Sequence, residues 1–160
     1  MEFQNTLSVL NDFGKFLVEE YKDKLILNDV NATDTLYNSV TLLPIEVNGN
    51  FFEVKISLED YWKYVEKGRL PGKWPPISAI EKWIEIKPVL PRPMDNGKLP
   101  TTQQLAFFIS SKIGLKGIKP RPLLQQSVEE VWRVMKEFLE EALAKDVENE
   151  ISMVMGRMRP

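Results

Sequence analysis

The chemistry open to this chain is limited first by two residue types that it lacks. Its 160 residues include no histidine and no cysteine, so Ser-His-Asp and Cys-His catalysis, thiolate nucleophiles and disulfides are excluded within the chain. Without histidine, the commonest general base and the commonest transition-metal ligand are also absent. Any enzyme or metal site must therefore rest on carboxylates, lysine, arginine, tyrosine or a hard cation.

Carboxylates are concentrated towards the C-terminal end, where apolar spacing predicts a long helix with an acidic outer face. The acidic residues of that face are Glu129, Glu130, Glu137, Glu140, Glu141, Asp146, Glu148 and Glu150. Glu137 and Glu141 lie one helical turn apart, a spacing that suits a carboxylate pair or a cation site. Charged helix faces are usually solvated, and the sequence contains no D-x-D-x-D-G calcium loop. We therefore expect a solvated face rather than a site.

Two basic runs offer a second kind of chemistry, contact with nucleic-acid phosphates. The runs are Lys112, Lys116, Lys119 and Arg121, and Lys67, Arg69 and Lys73. Phosphate contact needs only positive charge, but neither run is interleaved with the stacking aromatics of a single-strand binder. Scattered solubility charge is the more frequent explanation, and the run 112–121 is kept as a possible DNA-facing surface.

The stretch GRLPGK, residues 68–73, has only a superficial likeness to a phosphate loop. It lacks the G-x-x-x-x-G-K-[ST] pattern, and no strand directly precedes it. Two prolines follow closely after Lys73, so no helix N-terminus begins there to hold a phosphate. The sequence therefore predicts no nucleotide site at this loop. We also expect no cofactor and no small-molecule substrate.

An aromatic and proline-rich stretch, EDYWKYVEKGRLPGKWPPISAIEKWIEIK at 59–87, needs a different explanation. Tyr61, Trp62, Tyr64 and Val65 cannot all share one face of a short helix, because successive residues lie about 100° apart. Some of these side chains should point into the core and others elsewhere. Burial in one core and exposure as interface anchors are equally open on these grounds.

For the tryptophans of this stretch we expect different surroundings. Trp83 should face inward, and Trp62 or Trp74 should lie at a contact between subunits. The expected interface residues are Trp62, Tyr64, Arg69, Trp74, Pro75 and Pro76.

The elements that must position these residues begin with an amphipathic helix over about residues 3–27. Its apolar stripe recurs at steps of three and four through Phe3, Leu7, Leu10, Phe13, Leu17 and Tyr21. Gly14 lies inside this helix, where it would weaken the helix and allow close packing. The Asn- and Asp-rich stretch 27–34 reads as a loop.

A β-hairpin follows, because Asn48-Gly49 tolerates the positive φ angles of a two-residue turn. The expected pairs are Val47 with Asn50, Ile45 with Phe52, and Leu43 with Val54. The second strand alternates apolar and polar residues, as a half-buried strand should, with Phe52, Val54, Ile56 and Leu58 on the apolar face. Pro44 cannot donate a ladder hydrogen bond, so the first strand should be an edge there.

Capping signals predict two short helices around the aromatic stretch. Ser57 and Asp60 would cap a helix over LEDYWKYVEK, which Gly68 would end. Pro75-Pro76 would introduce the next helix, over about residues 77–86. A proline-rich loop then leads to a third helix.

Two further helices complete the predicted chain. Thr101 and Gln104 form a capping box for a helix that ends near Lys112, and Pro122 suits the first turn of the last helix. The expected buried face of the first of these is Leu105, Phe108, Ile109 and Ile113. The expected apolar stripe of the last helix is Val128, Val131, Trp132, Met135, Leu139, Ala142 and Leu143.

Together these elements predict one α+β domain over 1–150, a small antiparallel sheet packed by several helices, with a tail at 151–160 that we expect to be flexible. Net charge is −2, from 21 basic and 23 acidic residues, which does not mark a nucleic-acid binder. No apolar run approaches the roughly 18 residues of a membrane span. The first residues lack the basic start and apolar core of a signal peptide, so we expect a protein made and used, or assembled, in a cytoplasm.

The order of these segments resembles the minor tail and tail-completion proteins of tailed bacteriophages, a family of head-to-tail joining proteins. DTLYNSV, at 34–40, is similar to the family's G-x-L-x-x-S-(I/V) stretch, although Asp34 stands where a glycine is usual. Tyr61, Tyr64, Val65, Glu66 and Gly68 match its Y-x-x-Y-V-E-x-G segment.

Two later segments extend the resemblance, which covers about residues 5–150. PGKWPPISAIEKWIEIK is similar to a longer subtype, in which a Pro-Pro pair starts a helix that ends in a Trp-Ile pair, here Trp83 and Ile84. GIKPRPLL, at 117–124, resembles the entry to the last helix. The subtype and the Lys, Asn and Ile content also resemble crAss-like gut phages.

The resemblance implies a non-enzymatic virion component, assembled in the host cytoplasm, that forms a ring of often six or twelve copies between portal and tail. Its partners would be other copies and neighbouring portal, neck or tail proteins, with DNA only as passing channel content and no membrane. Two alternatives remain from other classes. One is a carboxylate-based glycan hydrolase, which needs two carboxyls in a cleft, and the other is a small nucleic-acid-binding module.

Overall fold

The computed structural model describes residues 3–30, 35–49, 51–60, 62–87 and 89–157, and within them the predicted α+β class is confirmed. The helices are α1 (Gln4–Leu27), α2 (Thr35–Ser39), α3 (Trp62–Lys67), α4 (Ile77–Ile86), α5 (Thr102–Lys116) and α6 (Leu123–Arg157). The strands are β1 (Thr41–Leu42), β2 (Glu46–Asn48), β3 (Phe51–Glu53) and β4 (Ile56–Ser57). Long helices at both ends therefore enclose a small antiparallel region.

The longest packing surface joins α1 to α6. Thr6 near the start of α1 contacts Asp146 far along α6, whereas Lys24 contacts Glu130 near the start of α6, so the two helices run antiparallel. Of the predicted α1 stripe, Leu10, Leu17 and Tyr21 are buried, together with Thr6, Gly14 and Leu25. Phe3, Leu7 and Phe13 are only half-buried at its edge.

The central core lies where α1, α2 and the start of α6 meet. Its fully buried side chains are Tyr21, Leu25, Leu36, Val40 and Leu123. Trp62 and Val65 of α3 pack against this cluster from one side. The close packing expected at Gly14 is confirmed, because a Cβ there would come within 2.5 Å of the Leu42 side chain.

The hairpin forms, but its predicted register is wrong. Val47 pairs with Phe52 instead of Asn50, and Asn48 pairs with Phe51, so the turn lies one residue later in the chain. A shift of two residues along the partner strand keeps the same side chains on the same face. The apolar face of the second strand is consequently retained, with Phe52, Val54, Ile56 and Leu58 all half-buried.

Pairing along the first strand of the hairpin is interrupted at Pro44, which has no N–H to donate to a ladder. Leu42 pairs with Ile56 and Leu43 N donates to Lys55 O at 2.9 Å, after which pairing resumes between Glu46 and Glu53. Two residues of the first strand, Pro44 and Ile45, therefore lie opposite the single residue Val54, as in a β-bulge.

The starts of α4, α5 and α6 agree with their predicted signals, whereas that of α3 does not. Ile77–Ile86 follows the proline pair, and Thr101 and Gln104 form the complete capping box of α5. The predicted cap of α3 is wrong, because Ser57 belongs to β4 and the helix begins only at Trp62. Gly68 ends α3 with a φ of 67°, as predicted.

The buried face predicted for α5 is partly wrong. The fully buried residues are small, Ala106, Ser110 and Gly114, while Leu105, Ile109 and Ile113 are half-buried beside them. Phe108 is 50% exposed. Small residues lie innermost because the segment that leads into α4 crosses close to α5, with the Trp74 ring against Gly114. The helix also continues to Lys116, one turn beyond its predicted end.

The apolar stripe of α6 is also corrected. Val131, Met135 and Ala142 are buried as predicted, together with Leu123, Ser127 and Asp146. Val128, Trp132 and Leu143 are exposed, since they lie to one side of the surface that α1 covers. The helix does not end at residue 150 but continues to Arg157, and all of 151–157 is exposed. Whether this end is flexible stays a prediction, and residues 158–160 lie outside the described part.

Both long helices receive an N-terminal cap from another element. Phe3 caps α1 without a side-chain hydrogen bond, and the Asp146 carboxylate of α6 accepts from the backbone N–H groups of Asn5 and Thr6 at 3.1 and 2.8 Å. Glu66 of α3 accepts from the Leu124 N–H of α6 at 2.6 Å. A carboxylate at a helix N-terminus satisfies orphan donors and complements the helix dipole, so these contacts fix how the helices meet.

None of the described helices is both long enough and apolar enough to cross a membrane.

Candidate interaction surfaces

The two basic runs, which are far apart in sequence, are brought side by side by an antiparallel backbone bridge. Arg69 N donates to Ile118 O at 2.9 Å and Ile118 N donates to Arg69 O at 2.8 Å. A third bond, from Gly72 N to Gly114 O at 2.8 Å, extends the contact onto α5. The segment between α3 and α4 thus lies directly on the segment between α5 and α6.

Glycines allow this close approach of two backbones. Gly68 and Gly117 have φ angles of 67° and 71°, in the region that side chains rarely adopt. A Cβ at Gly68 would overlap the Ile118 carbonyl oxygen, and a Cβ at Gly117 would overlap that of Arg69. The bridge therefore depends on glycine at both positions.

The two segments that form the bridge carry only positive charges. Residues 67–80 and 96–128 contain no aspartate and no glutamate. Lys67, Lys73 and the run 112–121 are exposed, whereas Arg69 is half-buried. The Arg121 guanidinium is engaged, because Nη1 donates to Asn28 O at 3.0 Å. The sequence identified both runs but gave no sign that they adjoin.

Within this region the residues 67–73, which we call the basic loop, present an apolar side chain outwards. Leu70 is 86% exposed at the tip of the loop. Arg69 and Lys73 lie on either side of it along the chain, and Pro71 and Gly72 form the turn. An apolar tip between cations is suited to a pocket that is apolar inside and acidic at its mouth.

The predicted interface residues differ in their exposure. Trp62 packs against the central core, so it is not the exposed member of the pair Trp62 and Trp74. Trp74 is 53% exposed and Tyr64 59% exposed. Pro75 is half-buried and its carbonyl accepts from the Ser110 hydroxyl at 2.7 Å, while Pro76 is exposed. Trp83, expected inward, is half-buried on α4, and Tyr61 lies outside the described residues.

A second surface is a cleft of about 360 Å³ between α1 and α6, which we call the acidic cleft. Its apolar lining is Phe16, Val131, Val134 and Met135, and its acidic lining is Glu19, Glu20, Asp23 and Glu130. Phe16 is 51% and Val134 66% exposed. The lining carries four carboxylates and no cation, so the cleft is negatively charged.

Lys24 spans the two sides of this cleft from its edge. Its Nζ lies 3.0 Å from Glu20 and 2.9 Å from Glu130, so one cation links α1 to α6. The hydrogen bond from Lys24 lowers the pKa of Glu130, with a smaller contribution from the charge of Arg133. The hydrogen bond to Glu130 in turn raises the pKa of Lys24. Even with both cations counted, the carboxylates remain in excess.

Glu130, one of the four carboxylates of the acidic cleft, is unsuited to act as a general acid. A glycosidase needs a carboxyl with a raised pKa to act as general acid, and the pKa of Glu130 is lowered. Glu137 and Glu141 are exposed on α6, as a solvated face predicts. Across the described residues, no group of three or more acidic side chains is arranged to hold a metal ion.

Asp146 does not lie on the solvated acidic face predicted for α6. It is only 3% exposed and accepts four hydrogen bonds from Asn5 and Thr6. Burial acts to raise its pKa, and these hydrogen bonds outweigh burial, so the pKa lies below its usual value. The available signal was its spacing of four from Ala142 on the buried stripe.

Comparison with known proteins adds no family to this description. No family model, no curated protein and no solved structure matches the chain.

Proposed function

We propose that this chain is a structural protein of a tailed bacteriophage, which forms a ring in the neck or tail and joins the head to the tail or completes the tail. The proposal assigns it to the virion, after assembly in the host cytoplasm. Its partners are further copies and the adjoining portal or tail proteins. It has no catalytic activity and no cofactor of its own in this role.

The observation that carries the proposal is the separation of opposite charges on one subunit. The basic loop and its neighbouring run are free of acids, while the acidic cleft lies on the α1–α6 pair. In a ring each copy shows one surface to one neighbour and a different surface to the other. Surfaces of opposite charge suit such head-to-tail contacts and exclude the reverse orientation.

Exposed apolar side chains support the same function. Around α4 and α5 the exposed large side chains include Trp74, Phe107, Phe108, Leu115 and Ile118. Single exposed apolar residues are common on monomers, but aromatic residues grouped on one helix pair are typical of interfaces. An assembly would remove this surface from water.

Two segments that carry the resemblance also prove to be neighbours in space. Val65 O accepts from Arg121 N at 2.8 Å, and Glu66 caps Leu124 at 2.6 Å. Gly68 lies against Ile118. The residues of the Y-V-E-x-G segment thus orient the entry to α6, which gives their spacing a structural reason in this chain.

Native mass spectrometry and negative-stain electron microscopy of the purified chain test the proposal. We expect discrete closed oligomers at high protein concentration that dissociate as salt is raised, because charge contributes to the contacts. A strict monomer at every concentration and ionic strength would contradict the proposal that this chain forms rings by itself.

A nucleic-acid-binding module is the second candidate, favoured by the two adjoining basic runs. It predicts DNA binding that weakens steeply with salt. Fluorescence anisotropy with a labelled duplex measures this, and Lys112→Glu with Lys116→Glu should weaken binding far more than Lys98→Glu, an exposed lysine of the proline-rich loop. Absence of binding at low salt would eliminate this candidate.

A further inference from the structure

The acidic cleft and the basic loop are complementary surfaces that do not meet within one chain. The cleft is lined only by residues of α1 and α6, and the basic loop is attached to the start of α4 and the end of α5. The cleft therefore remains open while the loop tip remains exposed. Each surface lacks, in its own subunit, the partner that its chemistry suits.

The acidic cleft and the basic loop match in size and in polarity. The cleft volume of about 360 Å³ lies at the small end of the range for binding pockets, which suits a few side chains rather than a folded segment. Its lining combines four apolar side chains with four carboxylates, whereas the loop has Leu70 at its tip between Arg69 and Lys73. An inserted loop would bury the leucine against the apolar side chains and bring the cations to the carboxylates.

We propose that the basic loop of one copy inserts Leu70 into the acidic cleft of the next copy, with Arg69 and Lys73 facing Glu19 and Asp23. This inference rests on the proposed ring function and specifies its repeating contact. Glu20 and Glu130 are already linked to Lys24, so Glu19 and Asp23 are the carboxylates left for the incoming cations. Because donor and acceptor surfaces differ, the contact is heterologous and propagates in one direction.

Matched substitutions at two Leu-Pro pairs test the apolar part of the contact. Leu70 and Leu90 each precede a proline and are 86% and 94% exposed, so both tolerate a polar residue in the folded monomer. We expect Leu70→Asp to weaken self-association at least about tenfold, or about 1.4 kcal/mol, and Leu90→Asp to leave it unchanged. Analytical ultracentrifugation measures both, with circular dichroism as the folding control. Equal effects of the two would overturn the inference.

Charge reversal followed by mixing tests which residues face each other. Lys73→Glu places a negative charge on the loop opposite the acidic cleft, and Asp23→Lys places a positive charge in the cleft opposite the basic loop. Each variant alone should remain monomeric, while an equimolar mixture should recover association, because each wild-type loop then meets a wild-type cleft and the two reversed charges attract each other. Glu137→Lys, on the exposed acidic face of α6, is the control for charge alone.

Disulfide trapping locates the contact directly, since the chain has no cysteine of its own. Leu70→Cys in one copy and Val134→Cys in another should cross-link on mild oxidation when the two variants are mixed. Leu90→Cys with Val134→Cys should not. Cross-linking of Leu70→Cys mainly to itself would indicate a symmetric contact and overturn the inference.

The outcomes separate this inference from the function on which it rests. If the native chain forms oligomers, Leu70→Asp does not weaken them and residues 70 and 134 do not cross-link, the loop-in-cleft contact is overturned. Ring formation is not contradicted by that result. A native chain that stays monomeric under all conditions, with no cross-link, overturns both.

Discussion

The α1–α6 pair and the α4–α5 pair are held together by different means. Large side chains such as Leu17, Tyr21 and Met135 are buried between α1, α6 and their neighbours. On the α4–α5 side the buried residues are the small Ala106, Ser110 and Gly114, and α4 buries none of its described side chains fully. One pair is stabilised by apolar burial and the other mainly by close backbone approach.

The two pairs also differ in how they join the rest of the molecule. The α1–α6 pair contributes to the central core. The two connecting segments of the α4–α5 pair are joined to each other by the Arg69–Ile118 bridge, and the Lys87–Asp29 ion pair at 2.6 Å links the end of α4 to the residues after α1. Regions with few buried apolar contacts open at lower free energy than the core. We therefore expect the α1–α6 pair to contribute most of the stability, and the α4–α5 pair to present exposed surface and the basic loop.

The largest effect on stability is expected for Leu25→Ala in the central core, which tests whether apolar burial stabilises the α1–α6 side of the molecule. Leu25 is 1% exposed, and removal of a buried leucine side chain costs about 2–5 kcal/mol of unfolding free energy. Leu27→Ala, two residues away on the same helix and 82% exposed, should cost under about 0.5 kcal/mol. Urea denaturation monitored by circular dichroism measures both. Similar losses for the two variants would show that α1 does not anchor the fold.

Gly117→Ala should affect the α4–α5 attachment. A non-glycine residue at a φ of 71° costs about 1–3 kcal/mol, and the added Cβ would also overlap the Arg69 carbonyl oxygen. Gly97 has a φ of 74° with open space around it, so Gly97→Ala carries the backbone strain without the overlap. Amide hydrogen exchange should quicken at Arg69 and Ile118 in Gly117→Ala alone, and slow exchange there would contradict the importance of the bridge.

The features predicted correctly from the sequence are those with a local cause. The proline pair before α4 and the Thr101 capping box specify helix starts through nearby atoms. Gly68 ends α3 because few other residues adopt its positive φ. The apolar spacing of α1 locates that helix to within a residue at its start. Each signal acts within about one helical turn, so the sequence pattern contains it.

The features that were missed depend on partners far away in the chain. Asp146 looks like its acidic neighbours on α6, and only the arrival of the α1 N-terminus makes it a buried cap. The bridge between Arg69 and Ile118 has no local pattern at either end. The predicted hairpin register was wrong for a related reason, because the bulge at Pro44 and the position of the turn depend on the packing of both strands.

Asp146→Asn tests the α1–α6 pair through its one buried carboxylate cap. The change removes the charge from four hydrogen bonds, and we expect a loss of about 1–2 kcal/mol near pH 7. Because the pKa of Asp146 is lowered in the folded chain, its stabilisation is present above the unfolded-state pKa and is lost as pH falls through the folded pKa. The stability difference from wild type should therefore shrink below about pH 4.

Urea denaturation over a pH series measures this difference, with Glu148→Gln as the control on the exposed face of the same helix. That control should show little effect at any pH. A stability difference that stayed constant down to the lowest pH would argue that Asp146 acts by shape rather than by charge.

The smallest loss of stability is expected at Lys24, which links α1 to α6 at the edge of the acidic cleft. Lys24→Met keeps the apolar stem and removes a cation from between Glu20 and Glu130. Ion pairs near the surface contribute about 0.2–1 kcal/mol, so urea denaturation should show a loss of that size that diminishes with added salt. Lys15→Met removes an exposed pair with Asp12 inside α1 and should cost less. If Lys24→Met instead destabilised the chain as much as Leu25→Ala, charge rather than apolar burial would hold the α1–α6 pair together, and the contrast with the α4–α5 pair would have to be withdrawn.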